Sequence, residues 1–436
     1  MPTFRFVHTA DLHLDSPLRS LALRDPALAE AVGSATRSAL ERIVALCLEE
    51  RVDALLIAGD LFDGEQQSMK TAAFLGRQMR RLDEAGIGVF IIRGNHDAQT
   101  PVTGALSLPA NCHVFGGRGG IVEHGGVAIQ GVSFAERAAP ESLLPKYRPP
   151  RPGMPNIALL HTSLGGAEGH DAYAPCSVAD LAAHGTDYWA LGHIHARTVH
   201  REAPWVVMPG MPQGRAIDEA GPKSATLATI SDTGITVEAR PTAVLEFGRA
   251  EASMDGVETR EAALARAQSA LEAAAAEVAA PAAVMRLSLT GTTPLAWQLR
   301  RDRALLEAEL REALPEPTGQ AGLFLEKLSV ELTAQPAAGA GDVAEAGPVG
   351  GLGPLMAEIA TDAAFLGEAG EYLERMVQAL PPELRDRFGA DAAGREAALA
   401  VLLAEGEATV LAELEGDGVG TGAGNGAGDS NGEVGG

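Results

Sequence analysis

An α/β sandwich with mixed sheets is the fold class predicted for Phe4–Ile230. Two observations predict it. Short runs rich in β-branched and aromatic residues alternate with stretches of helical periodicity, as layered α/β architectures require. Several runs, such as Leu55-Leu56-Ile57-Ala58, are apolar throughout, which marks strands buried on both faces. The predicted strands are Phe4–Thr9, Ala54–Ala58, Gly88–Ile92, Val127–Val132, Asn156–Leu160, Tyr188–Leu191, Trp205–Val207 and Ala225–Ile230. Leu40, Ile43, Val44 and Cys47 recur at helical spacing and predict a helix over Ala35–Glu50, with a second over Met69–Ala85. Glu136–Pro155, rich in Pro and Arg, reads as a surface loop.

Near Ala243 the texture changes. Val244–Phe247 and Ala283–Leu289 have strand character, Val257–Val278 and Leu295–Leu314 helical character, and Leu323–Leu332 closes a β-α-β-α-β unit. A chain of 436 residues is too long for one ordinary domain. The division this texture suggests is residues 1–242, a small α+β domain over 243–333, and a linker with helices over 334–415. The helices there are Leu355–Leu380 and Arg395–Leu414, separated by Pro381-Pro382. Residues 416–436 are a Gly/Asp-rich tail without apolar anchors, expected to be disordered.

Composition bounds function. No signal peptide and no long apolar span is evident, so no membrane partner is expected. Cys47, Cys112 and Cys176 are odd in number and scattered, which suits neither a disulfide framework nor a zinc cluster and points to a reducing cytoplasm. A net charge of −24 counts against a nucleic-acid partner. Residues 333–436 hold 18 of the 58 acidic residues but only 4 of the 34 basic ones, which weakens the objection for the rest of the chain.

Five predicted strands end in residues that bind metals. In order these are Asp11-Leu12-His13, Gly59-Asp60, Gly94-Asn95-His96-Asp97, His161, and Gly192-His193-Ile194-His195. In an open α/β sheet, ligands collect beyond the carboxyl ends of strands. Residues two apart in extended chain point the same way, so Asp11 and His13 can reach one ion, and His193 and His195 are again two apart. Singly, each is an ordinary turn acid or strand-end histidine. Five together indicate a metal site. Oxygen and imidazole donors without cysteine suit Mn²⁺, Fe or Zn²⁺ in a working rather than structural role. Asp11, His13, Asp60, Asn95, His161, His193 and His195 are too many for one ion and suit two divalent metal ions sharing a carboxylate. His96, beside a ligand, is placed to protonate a leaving oxygen.

These motifs, in this order, resemble the calcineurin-like metallophosphoesterase superfamily. Ala10–Pro17, Gly59–Asp63, Leu160–Ser163, Asp187–His195 and Pro209–Arg215 further resemble the SbcD-type DNA repair exonucleases. The resemblance implies a two-sheet αββα sandwich with a small α+β capping domain, followed here by a helical and disordered C-terminal extension. It implies one ion on Asp11, His13, Asp60 and His195, and another on Asp60, Asn95, His161 and His193, with Asp60 shared and His96 facing the scissile phosphate. It also implies Mn²⁺ as the preferred metal, DNA as substrate, and a coiled-coil ATPase of the SbcC kind as partner. A homodimer is left open. Arg93 departs from the SbcD pattern. Arg93-Gly94-Asn95-His96 resembles protein phosphatases instead, which makes Arg93 a candidate phosphate contact and a phosphomonoesterase the alternative function. The acidic region after Ala334 has no place in the family pattern.

Overall fold

The computed structural model describes residues 3–16, 26–63, 69–98, 108–165, 173–315, 321–334, 352–380, 385, 388–389 and 391–417. The twelve strands of its first part are β1 (Phe4–Thr9), β2 (Ala54–Ala58), β3 (Gly88–Ile92), β4 (Cys112–Val114), β5 (Gly120–His124) and β6 (Val127–Gly131), then β7 (Asn156–His161), β8 (Tyr188–Gly192), β9 (Thr198–Glu202), β10 (Trp205–Met208), β11 (Ser224–Ser231) and β12 (Gly234–Pro241). They form two six-stranded sheets, ordered β12-β11-β1-β2-β3-β4 and β5-β6-β7-β8-β10-β9. In each sheet a parallel middle is flanked by antiparallel pairing: β11 and β12 in the first, β5 and β9 in the second.

All eight strands expected from apolar runs are present, and four others appear: β4, β5, β9 and β12. Those four are the edge strands. An edge strand is half solvated and needs no continuous apolar run, and β9 is exposed at every residue. The sequence signal was a burial signal, so it found the strands that are buried.

Alternation along the central strands feeds three cores. Leu55 and Ile57 of β2 pack outward with Leu40, Ile43, Phe74 and Leu75 of the helices α1 (Pro26–Glu49) and α2 (Met69–Glu84). Leu56 and Ala58 pack inward against Ile157 and Leu159 of β7 and Ala190 of β8. Ala158, Leu160, Trp189 and Leu191 face a third core, on the far side of the second sheet. Among the described residues that outer layer holds one short α-helix, Val178–Ala183, and the segment read from sequence as a surface loop, whose Leu143 and Tyr147 are buried. The Tyr147 hydroxyl donates to the Leu159 carbonyl and ties that segment to β7.

The chain divides into two units, Met1–Ala250 with Leu271–Arg286 and Leu314–Lys327, and Glu251–Ala270 with Leu287–Ala313 and Leu328–Gly436. Leu245–Ser253, Ala282–Thr290 and Gly322–Val330 form a three-stranded sheet in that order. The helix expected over Leu295–Leu314 breaks at Asp302 into Ala296–Arg301 and Arg303–Ala313. The single helix expected over Leu355–Leu380 is instead Leu352–Ile359 and Ala363–Gln378, the second capped by Asp362, which accepts from the Ala364 and Phe365 N–H groups. The last helix is Ala392–Asp417 and enters the segment read as tail; residues 418–436, and 335–351 of the expected linker, lie outside the described residues. No helix among the described residues is long and apolar enough to cross a membrane.

Candidate metal centre

Parallel order places the ends of β1, β2 and β3 side by side, and those of β7 and β8 in the facing sheet. The chains leaving β1 and β2 stay paired. Asp11 N–H donates to the Gly59 carbonyl at 3.0 Å, His13 N–H to Asp60 at 3.1 Å and Leu14 N–H to Leu61 at 3.0 Å. Asp11, His13 and Asp60 have positive φ, at 53°, 41° and 53°, and His193 has φ 102°. Such backbone is costly for non-glycine residues and is held only where its surroundings demand it. The segments are therefore not extended, and a spacing of two does not set which group His193 and His195 each join. The first gathers with Asp60 and His161, the second with Asp11 and His13, each group having ligand atoms within 4.8 Å of one another.

Every expected site residue other than Arg93 takes part in this centre. The Asp11 carboxylate accepts the His193 N–H at 3.0–3.1 Å, locking β1 to β8. Asp60 Oδ1 accepts the His96 N–H at 3.0 Å, while its Oδ2 lies 3.4 Å from His161 Nε2. Asn95 Oδ1 is 3.0 Å from the same Nε2. Asp97, wholly buried, accepts from the Leu61, Phe62 and Gly94 N–H groups and so fastens the loop after β3 to the loop after β2. Gly94 leaves the room this needs. A Cβ there would stand 2.8 Å from Asp60 Cγ and 2.8 Å from His161 Cε1. Gly94→Ala is expected to weaken divalent-metal binding about 10–100-fold, the usual cost of disorienting a ligand, and calorimetric titration with Mn²⁺ checks it.

The ligand atoms converge. His161 Nδ1 is 2.9 Å from the Ala58 carbonyl, and His195 Nδ1 is 3.0 Å from Glu219 Oε1. With those nitrogens donating, Nε2 is in each ring the atom left to meet a cation, in His161 once a cation displaces its proton. His195 Nε2 then faces His13 Nε2 at 3.2 Å, and His161 Nε2 faces the oxygens of Asn95 and Asp60. His13 Nδ1 is buried without a hydrogen-bond partner. Burial, with Arg215 nearby, lowers His13 to about 3, so its ring is neutral. Burial also opposes a charged His161, yet Asp60 and Asp11 outweigh it and raise the group to about 9. Burial raises Asp11 as well, and the His161 charge pulls it back in part. All of this describes acceptors that need positive charge among them. Divalent cations fit that demand, and the oxygen and imidazole donors are those that hold them.

The model of the calcineurin-like phosphoesterase family matches residues 4–197, and that of the middle domain of metallophosphoesterase YhaO matches residues 247–333. The uncharacterized metallophosphoesterase YhaO of Bacillus subtilis is 35% identical over 341 residues, 75% of this chain and 81% of its own. The chain belongs to the calcineurin-like metallophosphoesterases. More distant relatives carry the name DNA double-strand break repair protein Mre11. That of Methanopyrus kandleri is 27% identical over 215 residues, 44% of each chain. That of Aeropyrum pernix is 30% identical over 219 residues, 46% of this chain and 51% of its own. This metallophosphoesterase thus spans about half the length of those two.

Three residues of the centre were given no role from sequence. Asp63 Oδ1 lies 3.3 Å from His96 Nδ1 and 3.9 Å from His13 Nδ1. Glu219 orients His195, and Arg215 pairs with Glu219 at 2.6 Å. Asp63 had a visible signal, standing three positions after Asp60. Glu219 had only its spacing of four from Arg215, which is too common to mark a site. Arg93 keeps its main chain in β-like contacts, its N–H donating to Ser133 Oγ at 2.9 Å, and its Nε is buried without a hydrogen-bond partner. Several arginines outside the centre are engaged in other contacts. Arg300 donates to the Leu332 carbonyl, Arg301 lies over Trp297 and pairs with Asp302, and Arg151 pairs with Glu123.

Proposed function

We propose that this metallophosphoesterase is a metal-dependent DNA phosphodiesterase, an exonuclease of the SbcD kind acting in DNA repair. The observation that carries it is the pairing of two ligand groups with a histidine that belongs to neither. His96 stands beside Asn95, its ring centroid 5.0 Å from that of His13, and Asp63 Oδ1 lies 3.3 Å from its Nδ1. Two divalent cations, Mn²⁺ by preference with Fe or Zn²⁺ as alternatives, held by Asp11, His13 and His195 and by Asn95, His161 and His193 with Asp60 shared, would supply an activated water and offset charge on the phosphoryl oxygens.

The protein's own groups do the rest. Asp63 beside it raises the His96 pKa against the effect of burial, which favours the protonated ring that a departing sugar oxygen would need. Arg93 remains the candidate contact for a phosphate oxygen through its terminal guanidinium nitrogens. What favours DNA is the likeness to Mre11 repair proteins and the Pro209-Gly210 and Gln213-Gly214-Arg215 segment. A coiled-coil ATPase of the SbcC kind belongs to the same reading, as do a cytoplasmic location and, as an assembly to be measured, a homodimer.

End-labelled single- and double-stranded DNA incubated with the purified chain and Mn²⁺, with and without co-purified partner, tests the substrate. Release of nucleotides from the ends is expected. Cleavage of p-nitrophenyl phosphate with DNA left intact would contradict the nuclease reading and assign a phosphomonoesterase, for which Arg93 and the acidic net charge also argue.

A further inference from the structure

The Arg215 guanidinium sits between two carboxylates, each of which touches a different histidine of the centre. Its Nη2 donates to Glu219 Oε1 at 2.6 Å and its Nε to Oε2 at 3.2 Å, while its main-chain N–H reaches Oε2 at 2.8 Å. Three donors from one residue leave Glu219 little freedom, and Oε1 is also the atom 3.0 Å from His195 Nδ1. On its other side Arg215 Nη1 lies 3.5 Å from Asp63 Oδ2 and 3.4 Å from Ser16 Oγ, which itself donates to Oδ2. Asp63 Oδ1 then lies 3.3 Å from His96 Nδ1. The side chains of Arg215 and Glu219 are only 18% and 15% exposed, so these charge-assisted contacts are poorly screened by water.

We propose that Arg215 is a positioning residue that holds the metal-side histidine, His195, and the leaving-group histidine, His96, in one register through Glu219 and Asp63. The proposal rests on the reading of His195 as a metal ligand and His96 as the proton donor. His13, Asp63 and His96 also lie within 4.8 Å of one another, an arrangement open to a third cation. The fixed positive charge of Arg215 beside Asp63 opposes that use and favours Asp63 as the partner of a protonated His96. A planar fork is required, because it alone reaches both carboxylates at once; a lysine ammonium is a single point of charge.

The clamp has two outputs that can be read apart. Glu219 acts on metal affinity. Asp63 acts on protonation of the leaving oxygen as the P–O bond to it breaks and the proton passes from His96. A p-nitrophenyl diester needs no such proton, because its leaving anion is already stable, whereas thymidylyl-thymidine expels an alkoxide. Hydrolysis of both diesters and calorimetric Mn²⁺ affinity are compared for the full chain and for Asp63→Asn, Glu219→Gln, Arg215→Lys and Arg215→Met.

Asp63→Asn should lower thymidylyl-thymidine turnover about 100-fold while sparing the nitrophenyl ester and Mn²⁺ affinity. Glu219→Gln should lower Mn²⁺ affinity about 10–100-fold and leave the ratio of the two esters at the wild-type value. Arg215→Met should show both defects, and Arg215→Lys should fail to repair both together. Equal losses on the two esters in Arg215→Met at unchanged Mn²⁺ affinity would overturn the proposal, as would equal losses on both in Asp63→Asn. The synthetic diesters keep the claims separate: DNA cleavage judges the substrate, and the ester ratio and metal affinity judge the clamp.

Discussion

Replacing Asp60 by Asn is expected to abolish hydrolysis by weakening both metal sites together. The residue is 2% exposed, accepts the His96 N–H with Oδ1 and places Oδ2 3.4 Å from His161 Nε2. Asparagine preserves the shape and one acceptor but removes the charge that holds His161 protonated in the metal-free chain, and with it the charge a cation would meet. Changing groups that merely orient ligands costs about 10–100-fold in affinity, so loss of a shared ligand charge should exceed about 100-fold at each site. His13→Ala and His161→Ala should each weaken mainly one site. Titration of the three variants with Mn²⁺ distinguishes these outcomes, and equal loss of a single ion in all three would overturn the sharing of Asp60.

His96→Ala is expected to retain both ions and lose about 10²–10⁴-fold in turnover of DNA, the range a general acid supplies. The ring is a third exposed, and only its backbone N–H, which alanine keeps, bonds to Asp60. Metal content by elemental analysis should therefore match the wild type. A variant that lost metal along with activity would make His96 a ligand instead, grouped with His13 and Asp63.

The contrast between what sequence showed and what it hid is a contrast between burial and backbone geometry. Central strands such as β2 and β7 are buried on both faces and announce themselves as apolar runs. Edge strands such as β9 carry no such mark. The centre was legible for a related reason: its residues follow directly on those strands, so Asp60 and His161 could be placed before any contact was known. The division of the histidines was not legible from spacing, because His193 adopts φ 102° and turns away from the direction an extended chain would give it. The orienting residues were hidden further. Glu219 lies in a single turn of 3-10 helix, Ile217–Glu219, and reaches His195 across 24 positions, a distance no local pattern carries. The break at Asp302 was hidden by a continuous amphipathic pattern through Leu295–Leu314.

A crystal structure of the Mn²⁺-loaded protein with anomalous scattering measured at the manganese edge tests the central claim most directly. Two peaks about 3.5–4 Å apart are expected, as in two-metal phosphoesterase centres, with Asp60 reaching both, His195 on one and His161 and His193 on the other. A single peak, or two peaks with Asp60 bound to only one, would contradict it.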